Sequence, residues 1–185
     1  MIPNVVIAVL HNFLEPELMR SMMAPVKTAL PFLPTDPYFC MFMAFFLAYF
    51  PMGARLFMQF DWTQSPLTLI WWMTGGMLPN TTPRKSIAEI VAKSDQADKW
   101  NGSHLNQMEG FVFYAAGILS CLQAGVDPAV VSDYALAYIV ARIGYIFFYQ
   151  ISFVNTLGFI RTNFFFLCLG IDAKMFLLAS AATKA

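Results

Sequence analysis

The sequence predicts an all-α integral membrane protein, a four-transmembrane-helix bundle, and three observations predict it. Of the 185 residues, 58% are hydrophobic and only 12% are charged, about half the charged share of a soluble domain. Four apolar runs, 38–60, 105–122, 129–151 and 161–182, have the length that crosses a hydrocarbon core. A single extended polar stretch, 80–100, separates the first two. The length allows one domain. A net charge of zero, with no basic run, excludes a nucleic-acid partner and leaves the lipid bilayer as the expected surroundings.

Residues 1–37 form an N-terminal extension, amphipathic and rich in proline. The run 2–10 lacks a basic flank and is short for a cleavable signal. Pro16, Pro25, Pro31, Pro34 and Pro37 are expected to cut the rest into short pieces. One amphipathic helix over 5–19 fits a position on the membrane or against a partner protein; targeting information is the rival reading.

The first span, 38–60, is dense in Phe and Met and is kinked by Pro51, as a membrane helix tolerates. Arg55 lies near its far end. An insertion at about 62–78 comes next. Its apolar segment SPLTLIWWMTGGML is too short to cross, and Trp71 and Trp72 place it at the headgroup level. The second span, 105–122, leads through Gly125 to Asp127 and Pro128, which start the third helix. The third span, 129–151, carries Asp133 and Arg142. A linker, 152–160, precedes the fourth, 161–182, which contains Asp172 and Lys174.

Arg84, Lys85, Lys93 and Lys99 give the first loop a basic excess that the next loop lacks. The positive-inside tendency puts the first loop of this multi-pass chain on the cytoplasmic or equivalent side. Alternation then gathers the polar ends of all four spans at one membrane face: Arg55, Asn106 with Glu109, Arg142 with Tyr145 and Tyr149, and Arg161. Asn106 and Glu109, at i and i+3, share a helix face. Arg142, Tyr145 and Tyr149, at i, i+3 and i+7, form another stripe. An arginine at membrane depth costs roughly 3 kcal/mol on insertion scales, so Glu109 is its expected ion-pair partner. Such a cluster either knots the bundle together or holds a small anionic or zwitterionic ligand. In a ligand site, Arg forks carboxylates, Glu takes an ammonium and an Arg or Tyr donor favours a thiolate. Arg55 and Arg161 also suit a snorkelling role.

Other chemistries find little support. His11 and His104 are the only histidines and have no cysteine beside them, so no metal site is expected. Cys40, Cys121 and Cys168 lie in apolar runs and read as packing residues. No phosphate loop or nucleophile elbow occurs. Asp172 and Lys174, two apart on a helix, do not face each other; Asp172 reads as a cross-helix partner or an intersubunit contact.

The segments HLNQMEGFVFYAAG, YIVARIGYIFFY and TLGFIRTNFFFLCLG, with PNTTPR before the second span, resemble the MAPEG family, the membrane-associated proteins of eicosanoid and glutathione metabolism. The match is closest to its divergent bacterial-type and uncharacterised branch and covers about 38–182. The resemblance implies a four-helix subunit that forms a homotrimer and binds glutathione, as co-substrate, between neighbours. It matches Asn106, Glu109, Arg142, Tyr145 and Tyr149 to glutathione contacts, Arg161 to the thiol-activating arginine and Arg55 to an arginine ending the first helix. Two positions depart from the pattern: Gly102 stands where active relatives carry an arginine, and Phe165 where a polar group sometimes comes one turn after the fourth-helix arginine. The implied functions are a glutathione-dependent transferase, peroxidase or isomerase acting on a lipophilic electrophile, or a non-catalytic accessory subunit among other membrane-complex subunits.

Overall fold

A computed structural model describes residues 14–31, 34–59, 95–152 and 155–184. The described chain is all-helical: α1 Pro16–Ala29, α2 Pro37–Gln59, α3 Asp95–Gln123, α4 Pro128–Gln150 and α5 Asn155–Ala182. The expected insertion at 62–78, most of the polar stretch 80–100, and positions 1–13 lie outside the described residues.

Among the described residues, three helices contain stretches long and apolar enough to cross a membrane: Pro37–Ala54, Pro128–Gln150 and Thr156–Ala182. With 29 residues, α3 is about 44 Å long, ample for a crossing. Asn106, Gln107 and Glu109 make it less apolar than the others. It packs against α2, α4 and α5, while α4 also contacts α2 and α5. The helix most enclosed is α4, whose buried residues run from Val131 to Ile146. Outward-facing Phe42, Phe46, Phe147, Phe159 and Phe166 give the bundle an apolar exterior, suited to lipid.

Small residues allow the close approaches. The buried positions Cys40, Ala44, Ala48 and Pro51 form one stripe along α2. His104 on α3 donates from Nδ1 to the Ala48 carbonyl at 2.7 Å, and its ring lies 5.7 Å from that of Tyr49. Its hydrogen bond ties two helices together. Between α4 and α5, the ring of Phe164 fills the space that a Cβ on Gly144 would need. The three cysteines are free and buried in these contacts.

The α3–α4 connection obeys its local chemistry. Gly125, at φ 79°, takes the left-handed conformation that favours glycine. Bonds from Val126 N to Cys121 O and from Gly125 N to Leu122 O close α3. Asp127 then accepts from Ala129 N at 2.9 Å, capping α4 with Pro128 in its first turn.

Three sequence expectations shift. Pro25 does not end a helix: α1 runs through it, and Pro16 occupies the first turn, where a missing N–H costs nothing. The helix that carries the expected second span, 105–122, extends back through Asp95, and Asp95 and Asp98 lie in its first described turn, where acidic residues suit the positive end of the helix dipole. The fourth begins at Asn155, so the expected linker 152–160 shrinks and Arg161 sits inside α5 rather than at its start. Asn155 and Thr156 are residue types that favour a helix start, and no proline interrupts the chain from there to Ala182.

The described part of the N-terminal extension packs on α4 of its own chain. Lys27 donates to Asp133 at 2.6 Å, with Arg20 3.6 Å from the same carboxylate. Tyr134 donates to the Leu14 carbonyl, and Ser132 to that of Thr35. Lys174, 4% exposed on α5, pairs with Glu15 at 3.3 Å. These partners account for two charges inside apolar helices, Asp133 and Lys174.

Candidate functional site: two adjoining polar cavities

Two cavities lie along the seam of α3, α4 and α5. The outer, about 220 Å³, is lined by Asn106, Tyr145, Tyr149, Arg161, Thr162 and Phe165. The inner, about 90 Å³, is lined by Asn106, Glu109, Gly110, Arg142 and Asp172, with Phe113, Phe165 and Leu169 closing it. Asn106 and Phe165 belong to both walls. Six of the seven residues singled out from sequence therefore meet here. The seventh, Arg55, lies in the last turns of α2, and its side chain is outside the described residues.

The α4 stripe behaves as its spacing predicts. Tyr145 and Tyr149 meet edge to face at 5.5 Å, and the Arg161 guanidinium of α5 lies 4.7 Å from the centre of the Tyr149 ring. That stacking holds a cation against an aromatic face at the more open cavity. Although α5 starts earlier than expected, Arg161 still reaches the tyrosines.

The Glu109–Arg142 ion pair expected from sequence does not form; the two share only the inner cavity wall. Arg142 is 3% exposed, and its Nε donates to the Tyr138 hydroxyl at 2.8 Å. Its Nη1 reaches the Asn106 carbonyl at 3.5 Å, and the guanidinium lies over the rings of Tyr138 and Tyr145. Local geometry explains the choice: Tyr138 is one turn before Arg142 on the same helix. Glu109 stays exposed on the surface of α3.

Glycines make room for this arrangement. A Cβ on Gly110 would collide with Nη2 of Arg142 and stand 2.9 Å from the Tyr138 hydroxyl. One on Gly102 would collide with the hydroxyl of Tyr149. Asn106 itself bonds back through Nδ2 to the Gly102 carbonyl at 2.9 Å.

Sequence reasoning missed the parts of Tyr138, Gly110 and Asp172 in this site. Tyr138 was accessible as the next member of the stripe 138, 142, 145, 149. Tyr138 also stacks on Tyr114 at 4.0 Å, and Tyr114 donates to the Ala135 carbonyl. Asp172 had the signal of any carboxylate inside an apolar helix, but its facing could not be read from one strand of sequence. Phe165, noted from sequence as an apolar departure, lines both cavities.

In comparison with known proteins, a profile of the MAPEG family matches residues 38–181. No curated protein and no solved structure gives a significant match.

Proposed function

The chain belongs to the MAPEG family, and on that premise we propose that it is a glutathione-dependent transferase, peroxidase or isomerase acting on lipophilic electrophiles. The observation that carries this reading is the convergence of Asn106, Tyr145, Tyr149 and Arg161 on one open cavity that adjoins a second lined by Glu109 and Arg142. The donor set fits glutathione. Arginine and tyrosine donors suit its two carboxylates and its thiolate, and acidic residues suit its ammonium. Arg161, fixed by the Tyr149 ring, places positive charge where a thiol would lose its proton. In conjugation the thiolate sulfur forms a bond to the electrophilic carbon, and the leaving group departs with its electron pair. The electrophile would arrive from the bilayer along the apolar outer faces of the helices.

In this reading the chain assembles as a homotrimer with glutathione between neighbours, and a neighbouring subunit would supply the partner that exposed Glu109 needs, because a carboxylate facing hydrocarbon is costly without one. The test is calorimetric titration of glutathione into the purified protein in detergent. Saturable binding that weakens at least tenfold in Arg161→Ala supports the reading; no binding by the natural sequence defeats it. One observation favours the second reading, an accessory subunit in a larger membrane complex: Gly102 supplies no cation, and Tyr149 fills the space beside it.

A further inference from the structure

The far end of the bundle holds a third cavity, which the proposed reading does not use. It measures about 430 Å³ and lies between the last turns of α3 and α5. Ser120, Gln123, Ser180 and Thr183 supply its polar groups, and Phe176 and Ala179 its apolar ones. Along both helices it stands about 21 Å beyond the outer cavity, from Asn106 to Ser120 and from Phe165 to Ala179, at about 1.5 Å rise per residue. It therefore sits at the opposite membrane boundary, where α3 ends at Gln123 and α5 at Ala182.

The chemistry of the wall narrows the ligand. Its hydroxyls and its carboxamide both donate and accept hydrogen bonds. Among the described residues no charged side chain lines the cavity; the exposed Lys184 follows Thr183 but is not part of the wall. Two helix C-termini meet here, each carrying about half a negative charge, which disfavours a phosphate inside. Uncharged hydroxyl groups suit such a wall. Phe176 is 39% exposed, and outward-facing Leu119 and Leu177, next in sequence to wall residues, continue the apolar surface toward the hydrocarbon. A soluble sugar would leave that surface uncovered, whereas a lipid covers both parts.

From this placement we propose that the cavity is a headgroup site for a lipid with an uncharged, hydroxyl-rich headgroup, such as a glycosyl diglyceride. The sugar hydroxyls bond to Ser120, Gln123, Ser180 and Thr183. The acyl chains run past Phe176 along the outer surface of α3 and α5. The site is independent of glutathione and faces the other side of the membrane.

The test is native mass spectrometry of the full chain released from phosphatidylcholine nanodiscs that contain equal small shares of a galactosyl diglyceride and phosphatidylglycerol. Both probes carry hydroxyls, but only the second carries a phosphate. The natural sequence is expected to retain the galactolipid at least tenfold more often than phosphatidylglycerol. The double variant Ser180→Leu/Thr183→Val removes two hydroxyls, and Ala124→Trp fills the cavity from α3; each should bring retention of the two lipids toward equality. Equal retention by the natural sequence, or a preference that survives in both variants, would overturn the site. So would variants that change the oligomeric mass without changing lipid retention, because the cavity would then be a contact between copies. Should the double variant fail to fold, Ala124→Trp decides alone. No glutathione enters the measurement, so this site and the proposed activity stand or fall separately.

Discussion

Gly102 and Tyr149 compete for one space: a Cβ on Gly102 would overlap the Tyr149 hydroxyl and stand 3.3 Å from its Cζ. Glycine at 102 is thus a condition for the position of Tyr149, and through its ring for the position of Arg161. Gly102 is thus coupled to two residues that line the outer cavity.

That coupling is measurable. Gly102→Ala is expected to displace Tyr149 and weaken glutathione binding, with little change in thermal stability because the gain in helix propensity, about 1 kcal/mol, offsets the crowding. In a Tyr149→Phe background the obstructing hydroxyl is gone, so the same substitution should have no further effect on binding. A double-mutant cycle reads the coupling directly; additive effects would contradict the shared space.

Gly110→Ala is expected to be more damaging. Its Cβ meets the Arg142 guanidinium, which is buried and held by Tyr138, so it cannot swing aside freely. Overpacking of this kind costs about 1–3 kcal/mol. Thermal unfolding in detergent should show a clear drop, larger than for Gly102→Ala.

The N-terminal helix offers a third test. Lys27→Met leaves the Asp133 carboxylate, 3% exposed, with the more distant Arg20 as its ion-pair partner among the described residues. The Lys27 side chain is 33% exposed, so solvent screens the pair and the loss should fall below the roughly 3–5 kcal/mol of a fully buried one. Proteolysis within residues 14–31 should accelerate in Lys27→Met and change far less in Arg20→Ala, whose side chain is 61% exposed.

What the sequence made legible was periodicity. The stripe of Arg142, Tyr145 and Tyr149 lies on one helix, where spacing fixes facing, and the structure keeps it together. Asn106 joins it because α3 and α4 pack where polar residues would otherwise meet hydrocarbon. The Glu109–Arg142 pair failed because a hydrogen-bonding tyrosine one turn away on α4 was the nearer partner. Charge complementarity in sequence does not rank such local competitors. Asp172 was visible as a carboxylate in an apolar run, but its cavity depends on the packing of α5 against α3, which one sequence does not encode by spacing. Pro25 misled because α1 is held by contacts with α4, and tertiary packing there overrides a local breaker.

Turnover tests the central claim most directly. With glutathione and an aryl halide as electrophile, the purified natural sequence should give saturable conjugation, and Arg161→Ala should reduce kcat by about a hundredfold, the scale of losing one donor to a developing anion. A natural sequence without turnover, or an Arg161→Ala variant as fast as it, would contradict the account.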